Sequence, residues 1–170
     1  MRSSLPRGVV PQTPGPGQES VWEYPRPPRL EQSRKTVVVR VGDVVLARTG
    51  EAFRVLETSH PPTWYLPLAS VRPDLLRLSR HPSTTCEWKG AATYWDVLAG
   101  SGPLEAAAWS YERPTKAFRD ITGHLAFDPN VLTCEVDGEV VRAQEGGFYA
   151  GWITDDVVGP FKGIPGSWGW

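Results

Sequence analysis

The chain has 170 residues and a formal net charge of −1. That is enough length for one domain with a sizeable core, and it carries none of the basic excess that marks a nucleic-acid-binding face. Eight Trp, five Tyr and five Phe stand beside seventeen Gly and seventeen Pro, a mixture that excludes long helices, favours many short strands and turns, and supplies rings for a core or a pocket wall.

No stretch approaches the roughly 18 apolar residues of a membrane span, and the first residues lack the apolar run of a signal peptide. The expectation is a cytoplasmic protein, monomeric or homodimeric, with no membrane or nucleic-acid partner. Two cysteines, Cys86 and Cys134, are too few for a disulfide-stapled secreted domain and read as reduced, buried thiols, with a single bridge between them as the alternative.

In chain order, residues 1–20 place five Pro or Gly positions between Pro11 and Gly17 and read as a disordered arm that cannot repay its ordering entropy. Residues 21–170 read as a single domain. Val21 to Arg29 is extended by its prolines, with Trp22 and Tyr24 as anchors and Arg26 held between prolines at a pocket rim. Thr36 to Val41, Gly42-Asp43 and Val44 to Ala47 form a hairpin. Phe53 to Glu57 alternates apolar and polar residues as a third strand, and Trp64 to Leu66 forms a fourth.

Pro73 marks a helix start, giving one short helix around Asp74–Leu78. Strands follow at 84–88 and 92–98 around a Lys89-Gly90 turn. The alanines of Glu105 to Tyr111 favour helix, but the aromatic alternation at Trp109 and Tyr111 with Pro114 close behind favours strand. Thr115 to Ile121 forms a helical turn, and strands lie at 125–127 and 131–136. Asp137-Gly138 is a hairpin signal, with the return over 139–143. The tail from Gly146 to Trp170 is too aromatic to hang free and is expected to wrap the domain, with Trp168 or Trp170 docked. Two echoes stand out: the hairpin at 37–47 resembles that at 132–143, and Trp88-Lys89-Gly90 before Trp95 resembles Phe161-Lys162-Gly163 before Trp168.

Familiar chemistries are absent from the motifs. Zinc requires clustered Cys or His, whereas the two thiols lie 48 positions apart and His60, His81 and His124 are scattered. There is no phosphate-binding loop or dinucleotide fingerprint and no nucleophile elbow, so no metal or cofactor is expected. The stretch from Glu57 to Pro67 remains, with a carboxylate, two hydroxyls, an imidazole and two rings. His60 titrates near neutrality, Glu57 lies three residues earlier, and Pro61 restricts His60 to an extended conformation. The expected catalytic set is His60, Glu57 and Tyr65. The expected ligand-binding set is Arg26, Lys89, Tyr94, Trp109, Tyr111 and Trp152.

A family resemblance is carried by Trp22-Glu-Tyr-Pro-Arg-Pro-Pro-Arg29, Leu56-Glu-Thr-Ser-His-Pro-Pro62, Tyr65-Leu-Pro67, Cys86-Glu-Trp-Lys-Gly-Ala91, Tyr94-Trp95, Ala108-Trp-Ser-Tyr111 with Pro114, and Ala126-Phe127. These motifs resemble, in order from about Val21 onward, the domain of unknown function numbered 427. Glu87 departs from the proline expected there. The resemblance implies an all-β fold of several short coiled antiparallel sheets with one or two helical turns, similar to the β-tent group of methionine sulfoxide reductase B and the ligand-binding domain of cereblon. Those relatives often hold zinc on paired cysteines, which this chain lacks, so the resemblance implies a metal-free version. The nucleotidyltransferase label sometimes attached to the family has no phosphate- or metal-binding signature here to support it.

Together these observations lead to the expectation of a cofactor-independent small-molecule enzyme, of isomerase, cyclase or hydrolase type, using a His60/Glu57 proton-transfer group in an aromatic pocket. The alternative is a non-catalytic binding module with an aromatic cage for a planar or cationic ligand. A third reading is a structural domain whose rings are simply core.

Overall fold

The computed structural model describes residues 4–170; the first three residues of the expected arm lie outside them. The Val-rich segments pair as their alternation requires. Val37–Val41 and Val44–Thr49 form the expected hairpin around Gly42, where a positive φ of 54° suits glycine. Thr133–Val136 and Glu139–Val140 form the second hairpin. The inner strands of the two hairpins pair antiparallel, with Cys134 opposite Val39. The sequence echo is thus two hairpins joined back to back in one four-stranded sheet.

A second sheet is built on Gly90–Val97, which pairs with Leu104–Ser110, Leu76–Leu78 and Thr84–Cys86; Leu125–Phe127 extends it beyond Leu104–Ser110. A third contains Arg29–Gln32, Phe53–Leu56 and Thr63–Tyr65. Two small ribbons complete the fold: Arg142–Ala143 pairs with Trp152–Ile153, and Glu19–Ser20 lies parallel to Val157–Val158. The domain is therefore all-β, in several short and mostly antiparallel sheets. Among the described residues helix is confined to short 3-10 turns, and no helix is long and apolar enough to cross a membrane.

Two local expectations change. Around Pro73 the helix is a single 3-10 turn, Pro73–Leu75, and Leu76–Leu78 is a strand because Leu76 pairs with Val97. Residues 1–20 were expected to be disordered, yet they are tied down from Gln12 onward. Gln12 exchanges hydrogen bonds with Gly159, Gln18 reaches the Asp155 carbonyl, and Glu19–Ser20 is a strand. Composition cannot register these partners, which lie more than 130 residues away.

The main core joins Val37, Val39, Leu46, Trp64, Leu66, Phe127 and Trp152. A second, ring-rich core gathers Tyr65, Tyr111 and Phe118, with Trp88, Tyr94 and Trp109 against it. A third, smaller cluster packs Val21, Tyr24, Leu56 and Val157 together with Trp22 and Phe161, so both ends of the described chain close on the end of the strand Phe53–Leu56. Trp170 meets Trp22 edge to face at 5.4 Å, whereas Trp168 is 81% exposed; the tail wraps and Trp170 is the ring that docks. Both cysteines are free, Cys134 buried and Cys86 half-buried.

Candidate functional site

The strand Phe53–Leu56 delivers Glu57 into a loop that both chain ends clamp. The Thr58 N–H donates to the Pro25 carbonyl and the Ser59 N–H to the Val21 carbonyl, while the Lys162 N–H donates to the Ser59 carbonyl at 2.8 Å. This clamp holds Ser59 fully buried at φ 73°, a left-handed conformation that an L-residue adopts only when its surroundings over-determine it. The turn closes through the His60 N–H to the Glu57 carbonyl at 3.0 Å. The expected pairing of the two side chains forms, with His60 Nε2 3.6 Å from Glu57 Oε2.

Arg26 joins them. Its Nη2 donates to Glu57 Oε2 at 3.3 Å and to the Thr58 carbonyl at 2.8 Å. On the other side of His60 stands Gln144, a buried residue. The Gly151 N–H donates to Gln144 Oε1 at 3.1 Å, which fixes the orientation of the amide. Its nitrogen is then the donor, to the Lys162 carbonyl at 2.7 Å and to His60 Nδ1 at 3.1 Å. Nδ1 must therefore present its lone pair, and Nε2 carries the proton. The imidazole is then neutral, with Nε2 3.6 Å from Glu57 Oε2.

Charge supports the same state. Burial, followed by the positive charges of Lys162, Arg26 and Lys89, lowers the His60 pKa to about 4. Tyr149 packs edge-on against the ring at 5.1 Å, and Lys162 Nζ lies 5.7 Å from the Tyr149 ring.

The remaining expected residues divide into two groups. Lys89 Nζ lies 5.6 Å from the Tyr65 ring and 5.7 Å from that of Tyr111, so the faces expected to cage a cationic ligand hold a cation of the chain itself. Tyr65 is fully buried, burial raises its pKa, and its hydroxyl has no hydrogen-bond partner among the described residues; the phenol stays protonated. Tyr94 bonds Thr84 and packs on His81, and Trp109 lies half-buried beside the second core. Trp152, expected to line the ligand site, is instead a core residue. It is 1% exposed, stacks on Trp64 at 6.1 Å, and satisfies its indole N–H on the Phe127 carbonyl.

A cavity of about 90 Å³ opens between Glu19, Arg54, Trp64 and Asp156, and a shallow depression of about 560 Å³ runs along Asp43 to Arg48. Neither is lined by Glu57 or His60, whose side chains are 24% and 17% exposed. Sequence reasoning missed Gln144, Tyr149 and Lys162 as site residues. For Lys162 a signal existed in the Phe161-Lys162-Gly163 echo of the Lys89 turn, and the charges of both lysines bear on His60. Gln144 offered no local signal, because its partner is 84 residues away.

The low His60 pKa carries a consequence for stability. The folded value lies below the ordinary 6.5, so the unfolded chain takes up the proton first as pH falls. Stability contributed by neutral His60 is complete above about pH 6.5 and is lost between there and about 4. Relative to His60→Gln, the wild-type protein is expected to lose on the order of 2 kcal/mol across that window, allowing for screening at the exposed ring edge. Urea denaturation of both proteins at pH 7.5 and pH 4 measures this, and parallel losses would refute it.

A family model described as Domain of unknown function (DUF427) matches residues 29–142. No curated protein matches the chain.

Proposed function

The chain belongs to the DUF427 family, and within it we propose a cofactor-independent small-molecule enzyme of isomerase type, with Glu57 and His60 as its proton-transfer pair. The observation that carries this reading is the Gln144 hydrogen bond to Nδ1. That bond occupies the only lone pair of His60 and leaves Nε2–H as a donor. At 3.6 Å the N–H is not committed to Glu57 and is free to bond a substrate oxygen. The carboxylate, 24% exposed, is then the base.

The two groups have the complementary tasks of proton transfer beside a carbonyl. Glu57 removes the proton from the carbon next to the C=O, and the C–H electron pair moves into an enolate. The neutral imidazole N–H bonds the oxygen on which negative charge develops. Where that carbon carries a hydroxyl, the hydroxyl proton passes to the former carbonyl oxygen, and return of the proton from Glu57 to the former carbonyl carbon completes a 1,2-isomerisation of a hydroxycarbonyl compound without added oxidant or metal.

A second reading is a non-catalytic binding module. It is favoured by the 24% exposure of the Glu57 side chain, which leaves the proposed base in contact with water. Exchange of carbon-bound protons separates the two readings. Small 2-oxo acids and hydroxyketones are screened by thermal shift, and those that raise the melting temperature are incubated in deuterium oxide and followed by proton NMR. Enzyme-dependent deuterium uptake is expected for at least one compound, with a loss of about a hundredfold in Glu57→Gln. Compounds that bind without exchange leave the binding module standing. A folded Glu57→Gln protein that exchanges at the wild-type rate rules out the base.

A further inference from the structure

Among the described residues, eight of the seventeen Lys and Arg side chains make an ion pair with a carboxylate. Arg54 lies between Glu19 and Glu31, Lys35 meets Asp156, Arg40 meets Glu135, and Arg77 meets Asp96. Arg26 and Lys162 both act on His60. Arg26 uses one nitrogen for Glu57 and the Thr58 carbonyl, and its Nε and Nη1 have no partner among the described residues. Lys162 Nζ donates to an oxygen of Trp170 at 3.0 Å, and no side-chain carboxylate among the described residues lies within ion-pair distance of it. Arg26 and Glu57 are both close enough to act on the Lys162 ammonium, whose pKa burial and then Arg26 push down. Glu57 is thus the one side-chain carboxylate among the described residues that pairs with either Arg26 or Lys162, and the charges of both cations and of Lys89 act on His60. Like charges gathered with free donors and too little counter-charge make a local demand for an anion.

We propose that the face formed by Arg26, His60, Tyr149 and Lys162 binds a small oxyanion, a carboxylate or a phosphate monoester, whose oxygens bridge the Arg26 guanidinium and the Lys162 ammonium. The proposal rests on the reading of Glu57 and His60 as a proton-transfer pair and names the class of their substrate. The planar guanidinium offers the bidentate geometry that suits either group, and the ammonium offers a point charge. Such an anion places the rest of the ligand over the His60 N–H, beside the Tyr149 ring. Glu57 disfavours it as an anion while serving it as a base, so the two roles of the carboxylate separate on mutation.

The probes are inorganic phosphate and malonate, each titrated into the full chain at constant ionic strength and followed by the His60 ring carbon and backbone amide NMR signals. Saturable shifts centred on Ser59, His60 and Lys162 are expected from at least one probe, together with a rise in the His60 pKa as the bound charge offsets its cationic neighbours. Saturation by phosphate alone assigns a phosphate monoester, and saturation by malonate alone assigns a carboxylate. Saturation by both supports the shared class. Arg26→Gln and Lys162→Gln should each weaken binding about tenfold, with Arg26→Lys retaining most of it and melting temperatures confirming that each variant is folded.

Glu57→Gln should tighten binding by about threefold even as deuterium exchange falls about a hundredfold. Shifts that never saturate, that map elsewhere, or that survive both cation substitutions overturn the proposal. Absent binding with exchange still lost in Glu57→Gln sinks this inference alone. Saturable binding with exchange unchanged in Glu57→Gln sinks the proton-transfer reading alone.

Discussion

Replacing Trp152 by alanine is expected to lower stability by about 3–5 kcal/mol, the range for truncating a fully buried indole. Trp152 is 1% exposed and lies in the main core with Trp64, Leu66 and Phe127. The substitution removes the ring stacked on Trp64 and leaves the Phe127 carbonyl without its indole donor, so a cavity and an unsatisfied acceptor arise together. The melting temperature should fall by roughly 6–20 °C for a chain of this length. The loss also reaches the candidate site. The Trp152 N–H bonds the Pro62 carbonyl, and its neighbour Gly151 bonds Gln144, so the segment that Trp152 anchors is the one that orients the His60 partner. Thermal and urea denaturation measure the effect. A loss under about 1 kcal/mol would show that the indole is not wedged between the sheets.

Gly163→Ala should be comparably severe, for a backbone reason. Gly163 has φ 117°, and a Cβ there would stand 2.0 Å from the Glu145 carbonyl oxygen and 2.9 Å from its carbon. Backbone blocks the added methyl, so no side-chain rotation relieves the clash, and the φ itself is one that L-residues rarely adopt. The segment around Lys162 must then lift off. That breaks the Lys162 N–H bond to Ser59 and the Gly163 N–H bond to the Ser167 hydroxyl. A destabilisation of at least about 3 kcal/mol is expected, with increased proteolysis within 146–170 as a second readout. Wild-type stability and protease resistance would mean that the tail does not close on the Glu57 to Pro62 loop.

Local features of the fold were legible in the sequence. Valine alternation around Gly42-Asp43 and the Asp137-Gly138 signal specify two hairpins through period and turn chemistry alone. The choice of strand for Glu105 to Tyr111 followed from aromatic alternation, and Leu104–Ser110 is a strand, so sheet pairing outweighs the helical propensity of its alanines. Pro73 signalled a helical start correctly, but pairing of Leu76 with Val97 ended the turn at once.

The site was legible where it is local. Glu57 and His60 are three residues apart and meet, and the prolines flanking Arg26 marked a held side chain that now bonds Glu57. It was illegible where it depends on closure of both chain ends, because Gln144, Tyr149 and Lys162 reach His60 across more than 80 residues and no spacing rule connects them. Trp152 shows the converse: it stood in the expected ligand-binding set, whereas an indole 1% exposed with its N–H satisfied inside the core belongs to packing.

The proposed chemistry turns on the state of His60. Histidine ring carbons and nitrogens labelled with ¹³C and ¹⁵N report both the titration and the tautomer. The prediction is a pKa of about 4, with nitrogen shifts at pH 7 showing the proton on Nε2 and a lone pair on Nδ1. In Gln144→Leu, which removes the amide donor, the Nε2–H preference should weaken. A His60 that titrates at 6.5 or above, or that carries its proton on Nδ1 at neutral pH, would contradict the neutral donor on which the proposed chemistry depends.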